Sequence, residues 1–126
     1  MDVTFAERPE YGATIVTLSG QLDVDSAPDL QAALAGLMRR RVVQIVVDLG
    51  PLKFCDSTGL SAFVVVHRSC TAAGGFLRLA APAPLLLQTL AVVGLLAELP
   101  VYASVTDACL GEGGRLLAPP PQWVDR

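Results

Sequence analysis

Six consecutive residues, Cys55-Asp56-Ser57-Thr58-Gly59-Leu60, hold a thiol, a carboxylate and two hydroxyls in this 126-residue chain. They follow an apolar, β-branched segment and precede an apolar run at helical spacing, which places Ser57 at a helix start. Two kinds of chemistry suit a hydroxyl there. Its oxygen can accept a hydrogen bond from an unpaired N–H of the first turn and so cap the helix. The same N–H groups, together with the helix dipole, favour an anion, so a phosphoryl group on Ser57 would be accommodated without unfolding. Local sequence leaves both readings open.

Other reactive combinations are weaker. The one histidine, His67, lies ten helical residues beyond Ser57, roughly 15 Å along the axis and out of reach as a general base. No G-x-S-x-G or Walker A pattern occurs, so hydrolase and NTPase chemistry is not expected. Asp48 and Asp56 could be imagined as a carboxylate pair, but a magnesium site needs more oxygen ligands than can be assigned, and strand-end and pre-helix polar roles account for them. Cys55, Cys70 and Cys109 lack C-x-x-C spacing. They read as reduced, mostly buried thiols with no metal site or disulfide framework. The helix start could lower the pKa of Cys55, while the charge of Asp56 opposes that shift.

The elements that must position Ser57 can be read in order. Residues 2–8 and 13–19 form a hairpin across the turn-like Pro9-Glu10-Tyr11-Gly12. Ser26 is expected to cap a helix over about 27–39, with Pro28 and Asp29 in its first turn and Leu30, Ala33, Leu34 and Leu37 on its apolar face. Arg39-Arg40-Arg41 then complements the helix end. Val42–Leu49 is apolar enough to be a central strand covered on both faces. Gly50–Phe54 reads as an irregular connection. A second helix runs from Thr58 to about Ala73, with Leu60, Phe63, Val64 and His67 on one face, and Gly74-Gly75 stops it. A strand over Phe76–Ala80, a helix opened by Pro82-Ala83-Pro84 and ending at Gly94, and a short strand over Leu99–Ala103 follow. Ser104-Val105-Thr106-Asp107 resembles a capping box for a brief fourth helix. The predicted fold is α/β: one domain over 1–112 with a mixed, mainly parallel sheet, an N-terminal hairpin edge and about four helices, then a flexible tail over 113–126.

In such sheets, sites collect beyond the carboxyl ends of the strands. The Gly20–Ser26 and Phe54–Ser57 loops both emerge there. If their strands are neighbours, Asp23 and Asp25 come near Ser57. Composition narrows the partners: a net charge of -3 and a pI near 4.9 argue against direct nucleic-acid binding. No apolar run is long enough to span a membrane and the N-terminus lacks a signal-like core, so membrane insertion is not expected and a cytoplasmic location is.

Together, Gly20-Gln21-Leu22-Asp23, Val47-Asp48-Leu49, Asp56-Ser57-Thr58-Gly59-Leu60, Gly74-Gly75 and Val93-Gly94-Leu95 resemble a STAS domain over roughly residues 3–110. More narrowly, they are similar to bacterial anti-sigma factor antagonists phosphorylated on serine. That resemblance implies a non-enzymatic, cofactor-free partner-switching protein. Unphosphorylated, it would bind an anti-sigma factor, itself a serine kinase of the histidine-kinase-like ATPase fold, and so free a sigma factor for transcription. Phosphorylation would switch binding off, and a serine phosphatase would reverse the mark. The implied acceptor is Ser57, with Thr58 a second hydroxyl, and the implied partner-binding residues are Asp23, Asp25, Asp56, Ser57, Thr58, Gly59 and Leu60. Ser61 stands where the family commonly has Gly. A second role implied by STAS resemblance is a subunit of a lipid or anion transport assembly.

Overall fold

A computed structural model describes residues 1–111; the tail expected over 113–126 lies outside the described residues. β1 (Asp2–Arg8) and β2 (Ala13–Leu22) pair antiparallel through a short 3-10 turn over Pro9–Tyr11. Gly12 closes that turn in the left-handed region, at φ +64. β3 (Gln44–Asp48), β5 (Phe76–Ala80) and β6 (Val101–Tyr102) extend the sheet in parallel, in the order β1-β2-β3-β5-β6. α1 (Ala27–Arg39), α2 (Ser57–Ala72), α3 (Pro84–Val92) and α4 (Val105–Leu110) are the four helices. The fold is thus α/β with a mixed, mainly parallel sheet and a hairpin edge, as expected.

One element differs from expectation. Leu52–Cys55, read as an irregular connection, is a strand, β4, which pairs in parallel with the far end of β2. β2 runs three residues beyond the expected Ser19 and changes partner: Thr14–Thr17 pair with β3, whereas Gly20–Leu22 pair with β4 across an irregularity at Gly20/Gln21. Four residues after Gly50-Pro51 carry too little pattern to announce a strand. Pairing with β2 makes them one.

The sheet has two unequal covers. On one face Val16, Leu18, Ile45, Val47, Leu77 and Leu79 pack under α1, α2 and α3, with Phe63 and Leu34 fully buried among them. On the other, Ile15, Val46, Ala80 and Tyr102 pack under α4. Neighbours along β3 thus alternate between the two cores, as a strand apolar on both faces requires. Gly74-Gly75 stops α2 as expected, and the two glycines do so for different reasons. Gly74 adopts φ +85, and a Cβ on Gly75 would lie 2.0 Å from the Val43 carbonyl oxygen. Only glycine lets the chain re-enter the sheet at this point.

Candidate functional site

β2 and β4 end side by side, with Leu22 opposite Cys55 and the Asp56 N–H donating to the Leu22 carbonyl at 3.1 Å. The next residues on each side, Asp23 and Asp56, therefore leave the sheet one strand spacing apart, about 4.8 Å. The two loops whose adjacency the sequence left conditional do meet.

The hydrogen bond to Leu22 also decides which residue caps α2. It holds Asp56 extended (ψ -177), and the Asp56 carboxylate accepts from the Gly59 N–H at 3.0 Å. Asp56 is the N-cap, correcting the reading in which Ser57 could cap. Ser57 is the first helical residue. It is exposed, its carbonyl accepts from the Ser61 hydroxyl at 3.0 Å, and its own hydroxyl makes no hydrogen bond among the described residues. With Gly59 N–H taken by the cap, the Ser57 and Thr58 N–H groups are the first-turn donors without an acceptor among the described residues. Thr58 is exposed as well.

Gly59 has a packing role that the motif alone does not reveal. A Cβ there would lie 2.5 Å from Leu22 Cγ and 3.1 Å from Cys55 Sγ. Because Leu22 is fully buried and cannot retreat, glycine at this position lets the first turn of α2 lie directly on the end of β2. Gly59 and Leu60 are both buried. Among the residues expected to meet a partner, these two shape the surface from beneath it and present little of their own.

The acidic loop is internally tied. Asp23 Oδ1 accepts from the N–H groups of Asp25 (3.0 Å) and Ser26 (3.1 Å), while the Ser26 hydroxyl accepts from Asp23 N–H and donates to the Gln21 carbonyl. Ser26 itself is helical (φ -98, ψ -16) and forms no side-chain cap, so the expected Ser26 cap is replaced by an Asx turn built on Asp23. Asp25 stays exposed. Asp48 serves its own turn, accepting from Gly50 N–H at 2.9 Å. Burial first, and the neighbouring Asp56 carboxylate second, push the Cys55 thiol up to about 12. The opposing influence of Asp56 noted in the sequence is thus joined by a larger one in the same direction. Cys70 and Cys109 are buried free thiols, also raised by burial.

Beside Ser57 runs a surface that sequence reasoning missed. A groove of about 410 Å³ extends along α2 from Ser57 past Leu60, Ser61, Val64 and Val65, with Val93 and Leu95 on its far side. Val65 and Val93 are half exposed or more, at 57% and 50%. The far end is closed by Arg68 and Glu98, 2.7 Å apart. The signal for it was the run Val64-Val65-Val66: a helix with three successive apolar residues must turn one outward. No helix among the described residues is long and apolar enough to cross a membrane.

A family model for the STAS domain matches residues 5–108. The chain is 29% identical over 109 residues to an anti-sigma F factor antagonist of Paenibacillus polymyxa, covering 86% of this chain and 93% of that protein. Among solved structures, an anti-sigma factor antagonist from Mycobacterium paratuberculosis superposes with TM-score 0.78 at 23% identity, over 87% of this chain and 92% of that one. The Bacillus cell fate determinant SpoIIAA in its phosphorylated form superposes with TM-score 0.64 at 20% identity, over 85% and 96%.

Proposed function

The chain belongs to the STAS domain family, and from that premise we propose that it is an anti-sigma factor antagonist switched by phosphorylation of Ser57. The unphosphorylated chain binds an anti-sigma factor in the cytoplasm and thereby releases a sigma factor. That anti-sigma factor is a serine kinase of the histidine-kinase-like ATPase fold, and a serine phosphatase restores the hydroxyl. The observation that carries this reading is the placement of Ser57. Its hydroxyl is exposed and unbonded, at the mouth of an apolar groove, beside two unpaired first-turn N–H groups and next to the Asp23–Asp25 loop. The name of the Paenibacillus relative supports it.

Ser57 attacks the γ-phosphorus of ATP. A bond forms from its oxygen to phosphorus, the bond to the ADP oxygen breaks, and the hydroxyl proton leaves to a base. His67, one residue short of three turns along α2, cannot reach it, so the kinase supplies that base. The product carries about -1.5 to -2 added charges. The first-turn N–H groups and helix dipole offset part of this within the domain, so the fold persists. A partner seated in the groove must instead bury or face a dianion flanked by Asp23, Asp25 and Asp56. Like-charge juxtaposition and desolvation of the dianion cost about 3 kcal/mol, about a 100-fold loss of affinity.

Incubation with a candidate anti-sigma kinase and ATP, followed by peptide mapping, tests the acceptor. A single phosphoryl group on Ser57, absent from Ser57→Ala, is expected. Phosphate on neither Ser57 nor Thr58 with any kinase that binds the chain would overturn the proposal. Stable binding to a permease in place of a kinase would favour the transport-subunit role.

A further inference from the structure

We infer that two copies of this chain pair through their β1 strands, antiparallel about a two-fold axis at Phe5, to form one continuous sheet. β1 is seven residues long and among the described residues borders only β2, so its outer edge there is a row of N–H and C=O groups without a partner strand. The opposite edge, β6, is two residues long. Edge strands are commonly kept solitary by proline, bulges or central charges. β1 has none of these: no proline, an unbroken register with β2 over all seven residues, and no charge between Val3 and Ala6.

The charges at its two ends, Asp2 and Arg8, are instead self-complementary, while Glu7 falls opposite Val3. Antiparallel pairing centred on Phe5 sets Asp2 of each copy opposite Arg8 of the other, Thr4 opposite Ala6, and Phe5 opposite Phe5. A slip that centres the pair on Thr4 sets Asp2 opposite Ala6 and leaves Arg8 beyond the end, losing both ion pairs. Among the described residues neither Asp2 nor Arg8 has an ion pair; the one present joins Arg68 and Glu98. Opposite charges and facing aromatics are the cross-strand pairs that stabilise antiparallel ladders, and like charges in those places destabilise them.

Phe5 supplies the apolar centre. It lies opposite Val16 on the face covered by α1, yet 49% of it is exposed. Grooves of about 540 and 490 Å³ flank it against Leu37 and Arg40. A second Phe5 across the axis, its Cα about 4.5–5.5 Å away, would close that surface. The Ser57 groove lies between α2 and the segment around Val93–Leu95, away from the β1 edge. Each dimer therefore keeps two accessible Ser57 sites, and the pairing stands whether or not Ser57 is phosphorylated.

Sedimentation equilibrium of the full chain from about 1 µM to about 500 µM tests this. The expected result is a mass that rises from monomer to dimer. Asp2→Arg and Arg8→Asp should each weaken dimerisation about tenfold or more, since each creates two like-charge pairs, and the double variant should recover most of the loss. Both positions are exposed, so circular dichroism melts should stay near the parent's. Mild oxidation of Phe5→Cys should link the two introduced thiols, because facing Cα atoms at that spacing suit a disulfide. A monomeric mass throughout, a dimer indifferent to the charge reversals, or cross-links that avoid position 5 would each overturn the inference.

Discussion

Gly59→Ala separates two physical effects that have opposite signs. Helix propensity alone makes alanine better than glycine inside a helix by up to about 1 kcal/mol. Packing argues the other way. The new Cβ would stand 2.5 Å from Leu22 Cγ, 2.8 Å from Leu22 Cδ2 and 3.1 Å from Cys55 Sγ. Leu22 is wholly buried, so α2 must lift from the end of β2 or Leu22 must leave its rotamer, at about 1–3 kcal/mol. The net expectation is a loss of about 1–2 kcal/mol, or roughly 4–8 °C in Tm for a domain of this size. Gly36→Ala is the internal control. It lies within α1, and a Cβ there meets nothing nearer than the Arg39 guanidinium at 3.7 Å, so propensity should stabilise it by about 0.5–1 kcal/mol. Urea unfolding of the two variants and the parent gives both signs in one experiment. If Gly59→Ala stabilises as Gly36→Ala does, the tight seating of α2 on β2, and with it the placement of Ser57 beside the acidic loop, is wrong.

Three further outcomes follow from the same geometry. Asp56→Ala should cost about 1–2 kcal/mol in denaturant unfolding because the cap is lost, with Asp56→Asn much milder and Ser57→Ala under about 0.5 kcal/mol. Gly75→Ala should destabilise by more than about 3 kcal/mol or prevent folding, since its Cβ would overlap the Val43 carbonyl; expression and thermal melts read this directly. Alkylation of Cys55 at pH 8 should be about 1000-fold slower than for an ordinary thiol, because a pKa near 12 in place of 9.0 leaves that much less thiolate. Between those two values the folded protein holds a proton that the unfolded chain has lost. Cys55 thus contributes stability that is complete below pH 9.0 and lost as pH rises through about 12, and the decline over pH 9–11 should be shallower in Cys55→Ala.

Much of this was legible in residue order because local signals agreed with tertiary ones. α1 and α2 carried apolar faces at helical spacing, prolines opened α3, Gly74-Gly75 marked the end of α2, and Val42–Leu49 was apolar on both faces because two cores flank β3. The failures share one cause. At Asp56-Ser57 two competent caps stand side by side, and sequence cannot choose between them. The choice is made by the Asp56 N–H bonding to Leu22, a partner 34 positions earlier in the chain, which fixes Asp56 in an extended conformation. Ser26 lost its capping role to Asp23 for a similar reason, since the Asx turn draws Ser26 into helical geometry. β4 is a strand only because β2 outlasts its pairing with β3. The groove beside Ser57 has a local trace in Val64-Val65-Val66, but its far wall depends on how α2 meets the segment after α3, which that run does not encode.

The central claim, that charge on Ser57 is felt by a partner and not by the fold, is tested most directly by calorimetric titration of the anti-sigma factor. The titrants are the unmodified chain, the chain phosphorylated on Ser57, and Ser57→Ala. The account predicts tight binding by the unmodified chain and by Ser57→Ala, about 100-fold weaker binding by the phosphorylated chain, and melting temperatures for all three within a few degrees of one another. Equal affinity of the phosphorylated and unmodified chains, or a lost affinity matched by a lost fold, would contradict it.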